Sequence, residues 1–176
     1  MKGPTPLAHE VATQLHIRLA DYDGAVAEAN KAVDLDPNDP DSHFAMGYAL
    51  SSAGRHREAV DFFKRAMRLD PYFQDNIGHG LGMAYFFMLQ LENAVNMFER
   101  AYKSNPERML TLWFLVATYA HLGRIGEAED ALAKIREYWP RSSNMRLIYT
   151  SDFIRSKDPA DLKLLADGLR KAGIPE

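Results

Sequence analysis

The chain has no cysteine among its 176 residues. That excludes a disulfide staple and thiolate chemistry, and it fits a reducing compartment. Long hydrophobic runs are absent too. The longest apolar stretch, Met83 to Leu89, is far short of the roughly 20 residues that a membrane span needs. An excess of positive charge is also missing. Lys and Arg number 21 against 24 Asp and Glu, for a formal net charge of −3 and a pI near 6.1. That balance carries no electrostatic footprint for nucleic acid or an anionic membrane, so neither is expected as a partner. The opening Met1-Lys2-Gly3-Pro4-Thr5-Pro6 has no apolar run behind its lysine, so it does not read as a signal peptide. The expectation is a soluble, cytoplasmic protein.

Catalytic constellations are missing as well. Gly78-His79-Gly80-Leu81-Gly82 looks like a phosphate loop, but Met83 stands where the dinucleotide fingerprint needs its last glycine, and no strand precedes it. Asp34, Asp36, Asn38, Asp39 and Asp41 crowd one turn. A calcium loop starting at Asp34 needs Gly sixth and Glu twelfth, where Asp39 and Ala45 stand. The histidines at 9, 16, 43, 56, 79 and 121 show no zinc spacing. The chain is therefore expected to be no enzyme, with no cofactor and no metal.

What the chain does have is a repeat. Alanine recurs at Ala25, Ala59, Ala94 and Ala128, and proline at Pro37, Pro71, Pro106 and Pro140, both with steps of 34, 35 and 34 residues. Ala32, Ala66, Ala101 and Ile135 keep the same register. Such a period marks a helix–turn–helix unit. Composition is globular, with 47% hydrophobic and 26% charged residues. In the second unit Asp39 caps the first helix, Pro40 occupies its first position and Gly54 follows as a left-handed cap. Ala59, Phe62, Phe63, Ala66, Met67 and Leu69 then form an apolar stripe at helical spacing.

The phrases Ala59…Phe63…Ala66…Pro71 and Gly82…Tyr85…Ala94…Phe98…Ala101…Pro106 resemble the tetratricopeptide repeat family in order and spacing. The resemblance covers residues 6 to 140. It implies an all-α, right-handed α-solenoid forming one domain over 1–176. Its repeats would span 6–39, 40–74, 75–108 and 109–142, with a degenerate capping helix pair over 143–176. Thr13, His16, Ala29 and Val116 depart from the pattern, as terminal repeats often do. Gly78, Gly80 and Gly82 alternate in the third repeat, each costing about 1 kcal/mol of helix propensity. The first helix of that repeat is thus expected to start late or fray, as a hinge. Beyond Pro140, Asn144 to Arg155 reads as a fifth first helix. Asp158-Pro159 opens a last one, with Leu162, Leu165, Ala166 and Leu169 on one face and Gly173 at its end; the pair would cover the core of the fourth repeat.

The resemblance also implies that first helices line a concave wall. Register places Glu10, Gln14 and Arg18 there from the first repeat, and Phe44 and Tyr48 from the second. His79, Met83, Phe86 and Phe87 follow from the third, Trp113, Ala117 and His121 from the fourth, and Leu147 and Ser151 from the fifth helix. Family members that hold a peptide's terminal carboxylate use Lys, Arg and Asn on this wall. The matching positions here are mostly Phe, Tyr, Met and Trp, which argues against that clamp. An aromatic, Met-bearing groove suits an amphipathic helix or an apolar extended segment. The candidate groove residues are Phe44, Tyr48, His79, Met83, Phe87, Trp113 and His121.

The expected function is that of a protein–protein interaction scaffold or regulatory module binding a protein or peptide with an apolar face. One alternative is homodimerisation with the groove self-filled, by the chain's own tail or by a twin; another is carriage of an apolar small molecule. The tail from Lys157-Asp158-Pro159 to Gly173-Ile174-Pro175-Glu176, with Ala66-Met67-Arg68-Leu69-Asp70-Pro71, also resembles the tetratricopeptide region that follows the catalytic domain in bacterial class III adenylate/guanylate cyclases. That resemblance implies a detached or stand-alone regulatory arm, since the catalytic domain itself is absent.

Overall fold

The computed structural model describes residues 3–72, 74–140 and 154–174. Among these are nine α-helices and no strand. They are α1 (Pro6–Arg18), α2 (Tyr22–Leu35), α3 (Pro40–Ser52), α4 (His56–Leu69), α5 (Gln74–Phe87), α6 (Leu91–Ser104), α7 (Met109–His121), α8 (Ile125–Tyr138) and α9 (Pro159–Lys171). Each of the first seven packs on the next in the chain, and the odd-numbered helices also stack α1 on α3, α3 on α5 and α5 on α7. Most of residues 144–155, including Leu147 and Ser151, lies outside the described residues.

Local chemistry explains the ends. Thr5-Pro6, Asp39-Pro40 and Asp158-Pro159 start α1, α3 and α9 alike. The side chain of the first residue accepts from a backbone N–H in the opening turn, and proline follows at the first helical position. The turn inside each repeat recurs on the ladder: Ala20, Gly54, Leu89 and Gly123 have φ of 57°, 77°, 58° and 74°. The next N–H closes each turn onto a carbonyl of the preceding helix at 2.8–2.9 Å, as in Arg55 to Leu50 and Gln90 to Tyr85. Glycine holds this conformation freely, whereas Ala20 and Leu89 hold it at about 1–2 kcal/mol each.

The glycines of α5 do not delay it. The helix begins at Gln74 and runs through Gly78, Gly80 and Gly82, which corrects the expected late start. The reason is packing. A Cβ at Gly80 would lie 2.7 Å from the Phe63 ring, and one at Gly82 would lie 2.6 Å from the Phe98 ring. A Cβ at Gly47 would lie 2.8 Å from Phe63. Phe63 thus wedges between the backbones of α3 and α5, fully buried. The alanine ladder, buried to within 1% at every position, lets the paired helices come as close.

The last helix reaches further than a lid on the fourth repeat. It packs on α7, where Gly168 sits so close that a Cβ would lie 2.8 Å from the Ala117 Cβ and carbonyl oxygen. Leu165, Ala166, Leu169 and Ile174 join the core of the third and fourth repeats. The strand of chain before it returns to the second repeat. Lys157 N–H donates to the Ser52 carbonyl at 2.7 Å. Asp161, 5% exposed, accepts from His56 Nε2 at 2.9 Å and from the Ser156 hydroxyl. Ser51 and His56 Nδ1 share a further bond at 3.3 Å.

Two outcomes follow from this packing. Gly82→Ala gains helix propensity but drives a methyl into Phe98, so a net loss of about 1–3 kcal/mol is expected in urea denaturation. Asp161→Ala strands buried donors and is expected to cost about 1–3 kcal/mol. A His56→Ala/Asp161→Ala double variant then loses less than the sum of the singles.

Candidate functional site

The concave side is divided. Toward its C-terminal half, α9 covers α7. His121 Nε2 donates to the Leu164 carbonyl at 2.9 Å, and Lys171 Nζ donates to its Nδ1 at 3.2 Å. Ala117 lies fully buried beneath Gly168. Toward the N-terminal half lies a cavity of about 410 Å³, lined by Gln14, Arg18, Phe44, Tyr48, Asn76, His79, Gly80, Arg108 and Leu110.

The cavity is built from one face each of α1, α3 and α5, with Arg108 and Leu110 added at the start of α7. Phe44 and Tyr48, one turn apart on α3, stack with centroids 6.2 Å apart and stay half-buried. His79 forms the floor at 4% exposure. Its Nδ1 shares a 3.0 Å bond with the Thr111 hydroxyl, while Nε2 meets no partner among the described residues. Burial, and then the charge of Arg108, hold the His79 imidazole down to a pKa of about 3. Arg108 enters from the turn before α7, tied to Asp75 at 3.0 Å and to Asn76. Burial raises the Asp75 carboxyl, but hydrogen bonds from Asn105 and Arg108 outweigh it and hold the group below its ordinary value. Burial pushes the Tyr48 phenol up, against the pull of Arg108, Arg18 and Arg155. Two guanidinium groups, of Arg18 and Arg108, therefore line the cavity beside an aromatic shelf.

Of the seven groove candidates, Phe44, Tyr48 and His79 come together here. Met83, at 6% exposure, and Trp113, at 1%, lie in the core of the third and fourth repeats. Phe87 is half-buried, with its ring 4.9 Å from His56. His121 is engaged by α9. Gln14 and Arg18, both on the mapped wall, do line the cavity, whereas Glu10 lines an adjoining cleft with Leu7, Val11 and Phe44. Arg108, Asn76 and Leu110 escaped the register argument. Arg108 sits in an inter-repeat turn that the wall positions do not sample, and it makes the pocket more cationic than the wall alone.

Comparison with known proteins agrees with this architecture. Tetratricopeptide repeat profiles match residues 18–54, 40–73 and 79–142. The small glutamine-rich tetratricopeptide repeat-containing protein 2 of Mycosarcoma maydis is 30% identical over 115 residues, 64% of this chain and 32% of the relative. The chain thus spans about a third of the length of that relative. Among solved structures, MamA 41-end from Desulfovibrio magneticus RS-1 matches with a TM-score of 0.70 at 18% identity, covering 98% of this chain and 96% of that one. YrrB, described as a TPR protein with an unusual peptide-binding site, matches with a TM-score of 0.64 at 19% identity, over 94% and 83%. The chain is a tetratricopeptide repeat protein with the solenoid fold of these neighbours, and such proteins generally mediate protein–protein interactions. Among the described residues no helix is long and apolar enough to cross a membrane.

The buried neutral His79 gives a pH prediction. Its folded pKa of about 3 lies below the unfolded value near 6.5, so between them the unfolded chain binds the extra proton. This contribution to stability is complete above pH ~6.5 and declines as pH falls toward ~3, by up to about 1.4 kcal/mol per pH unit. His79→Gln removes that slope. Urea denaturation of both proteins from pH ~7 to ~4 is expected to show converging stabilities; parallel curves would mean that folded His79 takes up the proton.

Proposed function

We propose that this chain is a non-enzymatic interaction module that holds a segment of a partner protein in the cavity lined by α1, α3, α5 and the start of α7. The observation that supports this reading is the half-buried Phe44–Tyr48 pair above a 410 Å³ cavity. Other large aromatics, including Phe63, Phe86, Phe98, Phe114 and Trp113, are sealed in the core. An apolar side chain of the partner packs on the pair, and Arg18 and Arg108 favour an acidic neighbour beside it. Met83, Phe87, Trp113 and His121 then act as support for the wall. The regulatory arm of a nucleotide cyclase is a narrower form of this reading and rests on the wording of the tail and repeats alone.

Selection from a displayed peptide library on the intact chain tests the proposal. Enriched segments are expected to pair an apolar residue with Asp or Glu. Tyr48→Ala is expected to weaken such a peptide by roughly tenfold or more, since burying one large side chain contributes about 1.5–3 kcal/mol. Arg18→Ala weakens it less, and more so at low salt. No enrichment, or binding indifferent to Tyr48, overturns the reading.

A further inference from the structure

Two residues that line the cavity each hold a buried polar atom without a partner. His79 Nε2 and Arg108 Nε are both shielded from solvent, and neither is hydrogen-bonded among the described residues. Such atoms are rare in folded chains, because an unpaired buried polar group is costly. The other bonds of the two residues define what each atom can do. Arg108 Nη2 donates to the Asp75 carboxylate at 3.0 Å and to Asn76 Oδ1. Its Nε–H is therefore a spare donor, while its charge is already balanced by Asp75. His79 is neutral, since burial and then the Arg108 charge hold its pKa at about 3, so one ring nitrogen carries a proton and the other does not. Its Nδ1 shares the 3.0 Å bond with the Thr111 hydroxyl. Thr111 is fully buried, and that bond is the one its hydroxyl makes among the described residues. Turned the other way, the hydroxyl would leave its own hydrogen without an acceptor, so it donates to Nδ1. The ring proton then sits on Nε2, which is a second spare donor.

We propose that these two donors, His79 Nε2–H and Arg108 Nε–H, bind main-chain carbonyl oxygen of the partner segment, and that the segment is extended where it crosses the cavity. The inference rests on the chain being an interaction module at this cavity, and it adds the group recognised and the conformation of the segment. The interior of an α-helix does not supply that oxygen, because each carbonyl there accepts from the N–H four residues on. An extended segment keeps its carbonyls free, and main-chain hydrogen bonds give affinity wherever extended peptides are recognised. A carboxylate suits the pair less well. It would have to shed its water beside an uncharged imidazole and a guanidinium already bonded to Asp75. An acidic side chain of the partner is better placed at Arg18, which is exposed. Neither Asp nor Glu lines the cavity, so no carboxylate of its lining competes for the two donors.

Nitrogen NMR of the intact chain gives the first test, because long-range couplings within the imidazole show which nitrogen is protonated. Nε2–H is expected for His79, and Nδ1–H overturns the proposal. The second probe is a peptide enriched on the intact chain from the displayed library, with each amide in turn replaced by an ester, whose carbonyl is a weaker acceptor. An interior ester is expected to lower affinity, and His79→Phe to lower it about tenfold or more. The ester then costs nothing further in His79→Phe, as two changes to one bond are not additive. His79→Gln, which keeps a donor, is expected to hold affinity within about threefold. A peptide that needs Tyr48 but is indifferent to His79→Phe overturns this proposal and leaves the interaction module standing. No enriched peptide at all overturns both. Should His79→Phe lose far-UV helicity, the unaltered chain decides. Its His79 Nε2 resonance is expected to shift on adding the peptide, and to shift less with the sensitive ester; an unmoved resonance overturns the proposal.

Discussion

Phe63 touches bare helical backbone on two sides, and the spacing of the repeats depends on that contact. Gly47 in its own repeat and Gly80 in the next leave no room for a methyl beside the ring. Phe98 repeats the contact within the third repeat against Gly82. Interiors pack at crystal-like density, so any side chain at these glycines would push neighbouring helices apart and tilt everything beyond them. A solenoid has no long-range sheet to absorb such a shift, because each repeat meets only its neighbours. The helix propensity given up by three glycines in one helix, about 1 kcal/mol each, is offset by the burial of aromatic rings that this closeness permits. The same closeness fixes where Phe44 and Tyr48 stand relative to α1 and α5, and hence the width of the cavity.

The periodic part of this architecture was legible in the sequence. Alanine and proline ladders gave the helix pairs, and Asp39-Pro40, Asp158-Pro159, Gly54 and Gly173 gave helix ends, because each acts through neighbours in the chain. The left-handed turns at Ala20 and Leu89 were hidden, since neither residue favours that conformation. The glycines of α5 were misjudged for a related reason: propensity is a local quantity, while their purpose is a contact with rings on other helices. Register also located Phe44, Tyr48 and His79 on one wall. It could not foresee Arg108, which arrives from a turn, nor the bond between His56 and Asp161, which are 105 residues apart and share no period.

That last contact changes the electrostatics of the concave side as well as its shape. The return of residues 154–158 to the second repeat brings the Arg155 charge to bear on Tyr48. The tail thereby covers the half of the concavity built from Ala117 and His121. A chain whose net charge is −3 thus places Arg18 and Arg108, the latter paired with Asp75, beside one aromatic shelf. Local potential in a concave, partly desolvated site is set by the groups that line it, more than by the total charge of the protein. A pI near 6.1 accordingly says nothing of the lining of this cavity.

The first and last described helices differ in what lies against them. Among the described helices, α3, α5 and α7 each pack on the first helix of the repeat before them. At the C-terminal side the chain supplies a further neighbour for α7, and Gly168 is shaped to seat against Ala117. At α1 the corresponding flank carries Leu7, Val11, Leu15 and Leu19, all more than half exposed. At the places of Val11 and Leu15, α3 and α5 carry the small residues Ala45, Ala49, Gly80 and Ala84, all buried. The exposed apolar area on α1 is unfavourable in water by about 25 cal/mol per Å², and covering it recovers that free energy.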